Sequence, residues 1–289
     1  MQLIDGIDRR TGMSREEFER DYLVTLQPVV ITDAISHWPA LDKWTPAFFR
    51  ENYGHLIVEV DEQRLALSEL IDRVEASTDD RPAPYLRNQP MADWPAELMA
   101  DITPMPDCAR QNWLESRYFP SGEKIAAIEA YIGGRGATFP QLHYDGLHTH
   151  AFLMQLYGEK EYIAFSPEQT AFVYPHSPGA NISQIVDLDH PDLETHPLFE
   201  RAEGVRFTLQ AGETLFIPSG WWHTARILSP SITVSINGLN RANYADFRRD
   251  YCASLSKTSR VKAFVAWVGL AVANATHLFE ESGASLFMV

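Results

Sequence analysis

The feature that most constrains this 289-residue chain is a succession of short β-type runs between Lys124 and Asn240. IAAIEAYI, HAFLMQLY, KEYIAFSP, VRFTLQ, ETLFIP and SITVSIN follow one another. They are separated by the turn signals GGRG (133–136), YPHSPG (174–179), QAGE (210–213) and PSG (218–220). Each run is rich in β-branched and aromatic residues, and each separator carries the glycine or proline that a reversal needs. Short strands following one another with such turn signals between them predict a β-sandwich or barrel and not a set of βαβ units.

The flanks read differently. From Met1 to about Pro120 the pattern is mixed: PVVIT (28–32) and LIVEV (56–60) predict strands, and TPAFFRENY (45–53) and LSELIDRVEA (67–76) predict helices. Thr45 is placed to cap the first of these helices, with Pro46 at its first position. From about Arg241 turn residues nearly vanish, and YADFRRDYCASL and SRVKAFVAWVGLAVANATHLFEE predict two helices. The chain therefore divides into an α/β flank (1–120), a β core (121–240) and a helical C-terminal segment (241–289). The apolar run Ala263 to Ala273 is shorter than the roughly 20 residues a bilayer requires. It is too apolar for a solitary solvent-facing helix, so it is expected to pack on the domain or on a second copy, with no membrane association.

Charge narrows the partners. Lys and Arg number 24 against 39 Asp and Glu, a formal charge of -15, which repels a phosphate backbone and suits a basic peptide. A protein or peptide substrate is expected ahead of nucleic acid. The two cysteines, Cys108 and Cys252, make neither a disulfide framework nor a thiolate zinc site. The N-terminus MQLIDGIDRRTGMSREEF has no apolar stretch of the secretory type. A reducing, cytoplasmic setting is the expectation.

PQLHYDG carries the chemistry. His143 and Asp145 stand two apart at an expected strand end, so both side chains point to one face. An imidazole and a carboxylate on one face supply two of the three ligands of a 2-His-1-carboxylate facial triad, which leaves positions on iron(II) open. His223, in GETLFIPSGWWHTA, is the best third ligand, because a strand that returns beside the first in a barrel would bring it across. A His-x-Asp pair alone is common and a lone histidine is usually structural, so the setting matters.

That setting closely resembles the JmjC and cupin-like hydroxylase family from about Phe18 to Asn240. PVVITDAISHWPALDKWTPAFFRENYG, PYLRNQP, LHYDGLHTHAFLMQLYGEKEYIAFSPEQ, YPHSP, GETLFIPSGWWHTARIL and SITVSIN carry the resemblance in the family's order. It implies a mainly β (α+β) fold with a double-stranded β-helix, or jelly-roll, core. It implies an iron(II) enzyme that consumes molecular oxygen and 2-oxoglutarate, with His143, Asp145 and His223 as catalytic metal ligands. Lys160 matches the lysine that binds the distal carboxylate of 2-oxoglutarate, and its neighbours Tyr162 and Phe165 suggest burial, where an ordinary strand lysine would be solvated. Tyr85 matches a tyrosine that reaches the same carboxylate; otherwise it is a packed strand aromatic. In SITVSIN, alternation puts Thr233, Ser235 and Asn237 on one face and Ile232, Val234 and Ile236 on the other. Ser235 and Asn237 match positions that contact the cosubstrate or support the metal. The C-terminal helices resemble an appendage through which several members form homodimers.

There are departures. Pro140 stands where several members carry a hydroxyl residue, with Thr138 nearby, and Leu153 stands where some have an asparagine. His148 and His150 match no ligand and are expected in the loop and strand start near the pocket. The resemblance favours a hydroxylase of a protein or peptide side chain. The other readings are an N-methyl-lysine demethylase or small-molecule hydroxylase, and a catalytically silent cupin used as a binding module. The intact His143, Asp145, His223 and Lys160 speak against the last.

Overall fold

In the computed structural model, which describes residues 1–110, 112–116, 119, 125, 127–276 and 278, the β-type runs form two facing sheets. The smaller runs in the order β1 (Gln2–Asp5), β10 (Glu203–Gln210), β9 (Glu159–Phe165), β12 (Trp222–Ile227). The larger runs β2 (Arg9–Arg10), β3 (Val29–Ile31), β11 (Thr214–Ile217), β8 (His150–Tyr157), β13 (Ser231–Gly238), β7 (Glu129–Gly133), β6 (Leu86–Pro90). A separate hairpin joins β4 (Ile57–Val60) to β5 (Gln63–Ala66). Parallel pairing occurs at β1 with β10 and at β2 with β3, and the strands between pair antiparallel. This is the mainly β, jelly-roll architecture that the resemblance implies.

Alternation along each strand decides which side chains meet where. On β13, Ile232, Val234 and Ile236 face outward with Phe152, Met154 and Leu156 of β8. These side chains pack against the N-terminal flank, where Trp38, Trp44 and Phe49 are buried. The flank supplies α1 (Pro46–Tyr53), capped by the Thr45 side chain accepting from the Phe48 N–H at 3.1 Å. It also supplies α2 (Leu67–Glu75), which buries Leu67, Leu70, Ile71 and Val74 along one stripe. The opposite faces of β8 and β13 look into the space between the sheets, where Val30, Tyr162, Phe207, Leu209 and Leu215 close one end. The segment from Phe172 to Ala202 covers the outer face of the smaller sheet with Val173, Ile185 and Phe199.

The C-terminal helices are α3 (Tyr244–Ser256) and α4 (Arg260–Ala275). The sequence reading carries the second helix on to Glu281, which lies outside the described residues. Packing on the domain is true of one side only: Ala263, Leu270 and Ala273 are buried, whereas Val261, Phe264, Val265 and Val272 are more than half exposed. A helix apolar all round cannot bury every face against a single neighbour. Among the described residues no helix is long and apolar enough to cross a membrane. Cys108 and Cys252 are both free.

Gly158 fixes the register of β9, and therefore of Lys160 two residues later. Its φ of +69° is a left-handed conformation, and a Cβ there would lie 1.9 Å from the Pro230 carbonyl oxygen. Gly212 also has a positive φ, +91°, but a Cβ would meet nothing within 4 Å. Gly158→Ala should therefore lower the unfolding free energy in urea by about 2–3 kcal/mol, and Gly212→Ala by only about 1 kcal/mol. Equal losses would mean that the approach of Pro230 does not constrain the turn between β8 and β9.

Candidate metal centre

His223 is placed by what brackets it. The Pro218 to Gly220 turn ends with Gly220 at φ +81°, and the Trp221 N–H returns to the Pro218 carbonyl at 3.2 Å. Trp221 then faces the inter-sheet space with its indole N–H on the Leu26 carbonyl (2.9 Å), while Trp222 faces outward with its own on Thr170 Oγ1 (3.0 Å). Two anchored indoles on opposite faces leave little freedom for the histidine that follows.

His143 reaches the same place by a different route. Residues 136 to 143 run along β12, with the Phe139 N–H on the Ala225 carbonyl (2.8 Å) and the His143 N–H on the His223 carbonyl (3.1 Å). Between these two bonds three residues on one side oppose Thr224 alone on the other, so the chain bulges at Pro140, Gln141 and Leu142. The regular strand end expected at His143 is absent: His143 forms isolated bridges to His223 and to Ile182. Pro140 accounts for the difference, since it has no N–H to donate to a ladder. On the far side, the Tyr144 N–H donates to the Asn181 carbonyl (3.0 Å) and the Asn181 side chain donates to the Tyr144 carbonyl (2.8 Å).

The outcome is convergence. One ligand atom from each of His143, Asp145 and His223 lies within 4.8 Å of the others. His223 Nε2 stands 3.7 Å from Asp145 Oδ2, and the two imidazole centroids are 4.5 Å apart. Nδ1 of His143 faces the Gln141 carbonyl at 3.0 Å and Nδ1 of His223 faces the Trp221 carbonyl at 2.9 Å. Carbonyls only accept, so each Nδ1 carries the proton and each Nε2 offers its lone pair to the common centre. Burial, then the neighbouring His223, pushes the His143 pKa down to about 3, which keeps the ring neutral as a ligand must be. Burial holds the Asp145 pKa above the usual carboxylate range. A carboxylate desolvated beside two lone-pair donors lacks a cation, and the donor set fits a divalent metal of the iron class.

Lys160 completes the pocket from β9. It is 1% exposed, walled on its strand neighbours by Leu209 and Ile227, and Nζ donates to Tyr85 Oη at 2.9 Å. Nζ also lies 5.2 Å from the Tyr85 ring centre and 5.7 Å from that of Tyr131. Among the described residues no carboxylate pairs with it. Burial pushes its pKa down to about 7. A buried ammonium in this position is matched to an incoming anion.

The pocket is lined by Lys160, Tyr85, Ser235 and Asn237 together with the three ligands. Thr233, expected with Ser235 and Asn237, lies outside the lining: it shares their face, but its hydroxyl donates to the buried Gln155 Oε1 at 2.7 Å. That pairing arises because β8 and β13 set Thr233 opposite Gln155, deeper between the sheets. Leu153 lines the pocket beside Ala151, so the wall of β8 is apolar there. Thr138 lines a separate groove on the outer side of the smaller sheet. His150 is not at the solvent or pocket edge. It is fully buried beside Phe216, 5.4 Å between ring centres, and accepts from the Ser219 N–H at 3.0 Å. His148 lies in the turn after Asp145, with Nδ1 2.6 Å from Asp250 Oδ2.

The sequence reading missed three contributors. Phe139 stacks on the His143 ring at 4.4 Å and 19°. Tyr131 stands over Lys160, and Asn88 donates to Tyr131 Oη at 2.7 Å. Alternation in IEAYI could have pointed to Tyr131, but Phe139 and Asn88 sit in irregular backbone that carries no periodic signal.

A family model described as a cupin-like domain matches residues 47–238. "Lysine-specific demethylase JMJ30" of Arabidopsis thaliana is 32% identical over 254 residues, covering 82% of this chain and 55% of that protein. "Jumonji C domain-containing protein 5" of Drosophila melanogaster is 31% identical over 243 residues, covering 77% of this chain and 57% of that protein. The human "Bifunctional peptidase and (3S)-lysyl hydroxylase JMJD7" is 27% identical over 249 residues, covering 71% of this chain and 75% of that protein. The chain thus spans about half the length of the first two relatives. Because the family match covers strands β4 to β13 and all three candidate ligand positions, the chain belongs to the cupin-like, JmjC-type family.

Proposed function

We propose that this chain is an iron(II)- and 2-oxoglutarate-dependent oxygenase that hydroxylates a side chain of a protein or peptide. The observation that carries the reading is the pairing of three converging candidate ligand atoms with a buried lysine that has no carboxylate partner among the described residues. When bound, iron(II) with 2-oxoglutarate supplies the oxidising power that inserts one oxygen atom of O2 into a C–H bond, with succinate and carbon dioxide as coproducts.

The residues divide the remaining labour. His143, Asp145 and His223 would hold the metal, as the 2-His-1-carboxylate donor set suits iron(II). Lys160 and the Tyr85 hydroxyl hold the distal carboxylate of the cosubstrate, which sets the length and direction in which it lies. Ser235 and Asn237 offer polar contacts from β13, and Ala151, Leu153 and Tyr162 keep water from the reacting centre. The charge of -15 favours a basic peptide over nucleic acid. The relatives' names include both demethylases and a lysyl hydroxylase. Demethylation of an N-methyl-lysine needs the same C–H oxidation, so substrate identity separates the two readings. The free Cys108 and Cys252 favour a reducing, cytoplasmic setting. The apolar outer face of α4, with Phe264 and Val265 exposed, suits a second copy of the chain.

Purified protein given iron(II) and 2-oxoglutarate should release succinate, and His143→Ala should reduce that release at least about 100-fold. Screening peptides and metabolites by succinate release then defines the substrate class. Release indistinguishable from that of His143→Ala would leave the silent binding module as the better reading.

Lys160→Ala should raise the KM for 2-oxoglutarate roughly 10–150-fold, the loss expected for a hydrogen bond to a charged group. Lys160 must be protonated to bind a carboxylate and titrates near 7 when unpaired. The KM should therefore be flat below that pH and rise by up to about tenfold per unit above it. A KM independent of pH in the wild type would separate Lys160 from cosubstrate binding.

Light scattering after size exclusion should give the mass of a dimer at micromolar concentration, and Phe264→Glu with Val265→Glu should give a monomer. A monomeric wild type would remove α4 as a self-association surface.

A further inference from the structure

The two histidine ligands and the carboxylate ligand are held in different ways. Each imidazole is fixed by a carbonyl on Nδ1, but among the described residues no side chain donates a hydrogen bond to the Asp145 carboxylate, and the unprotonated His223 Nε2 stands 3.7 Å from it. The placement of Asp145 thus falls to the backbone beside it. On one side Tyr144 is tied to Asn181. On the other is the turn Gly146–His148, in which Leu147 (φ 58°) and His148 (φ 52°) are both left-handed. L-residues resist that conformation, so the turn keeps its shape only where other groups hold it.

The holding groups come from the C-terminal helices. Asp250 on α3 receives His148 Nδ1 at 2.6 Å, and Arg249 Nε orients its other oxygen at 2.8 Å. The Asn243 side chain, just before α3, donates to the His148 carbonyl at 2.9 Å and to the Gly238 carbonyl at 3.0 Å, joining the turn to the end of β13. Leu147 packs against the apolar cluster that includes Leu239 and, from α3, Tyr244 and Phe247. The His148 ring stands 4.7 Å from that of Tyr144, so the same contact bears on both neighbours of Asp145.

We propose that α3 is a positioning element of the metal centre: Asp250 clamps His148 and so holds the turn that presents Asp145 to the metal. This rests on the metal-site reading above. Asp250 and His148 lie outside the lining of the metal pocket and act through the backbone that follows the ligand. On this view α3 is part of the site, and loss of the Asp250–His148 contact alters metal retention.

The test uses the full chain and Co(II) alone, titrated by its visible absorption, alongside thermal unfolding and hydrogen exchange of the metal-free protein. Wild type should bind Co(II) and His143→Ala should not. Asp250→Ala should weaken Co(II) binding by about tenfold or more, the usual effect of removing a group that orients a ligand. It should also speed exchange at residues 146–149. Asp250→Asn, which still accepts from Nδ1–H, should restore binding. Leu270→Ala, which loosens α3 against α4 without removing the Asp250–His148 contact, should lower the unfolding temperature and leave Co(II) affinity unchanged. If Asp250→Ala does not fold, His148→Ala in an intact α3 reads the same effect. Wild-type affinity in Asp250→Ala, or an equal loss in Leu270→Ala, would overturn the clamp while leaving the metal site standing. Binding in His143→Ala equal to wild type would instead remove the metal-site reading itself.

Discussion

The site depends on one backbone junction, where the His143 N–H meets the His223 carbonyl and the His223 N–H returns to the His143 carbonyl. This pair of bonds brings together two histidines far apart in the chain and sets their rings on one side of the smaller sheet. It exists because the edge of β12 remains open for a bulged segment that could not extend it as a regular strand. A regular ladder would have carried residue 143 further along β12 and left the imidazoles apart. The irregularity at Pro140 is therefore a structural requirement of the centre.

Burial supplies the second constraint. Between the sheets, Leu209 and Ile227 strip water from Lys160, and the same enclosure desolvates His143 and Asp145. Each group is shifted toward its neutral form by the loss of water, and each would recover charge-stabilising partners from a metal and an anionic cosubstrate. A cation and an anion held apart with unmet electrostatic demand favour ligands that bridge them. The fold thus stores specificity for a metal and a dicarboxylate in how it excludes solvent.

Much of this was legible beforehand because strand alternation is a local property. The outward packing of Ile232, Val234 and Ile236, the cap at Thr45 and the stripe on α2 all follow from residue spacing. His143, Asp145, His223, Lys160 and Tyr85 could be named from motifs whose order along the chain matches the family. Thr233 shows where alternation stops being informative: it shares a face with Ser235 and Asn237, but depth along the strand puts it against Gln155. His150 makes the same point, since its partner, the Ser219 N–H, comes from another strand connection altogether.

By itself the sequence determined the β-rich core, the helical ends and which residues are candidate ligands, because short-range periodicity, turn chemistry and motif order are read over a few residues at a time. Only the tertiary structure decided that the ligand segment is bulged, that Phe139 stacks on His143, and that α3 reaches back to His148. These are contacts between segments separated by many residues, and their geometry follows from how two sheets and a helix pair close on each other. No local pattern encodes that closure, which is set by the summed packing of the whole core.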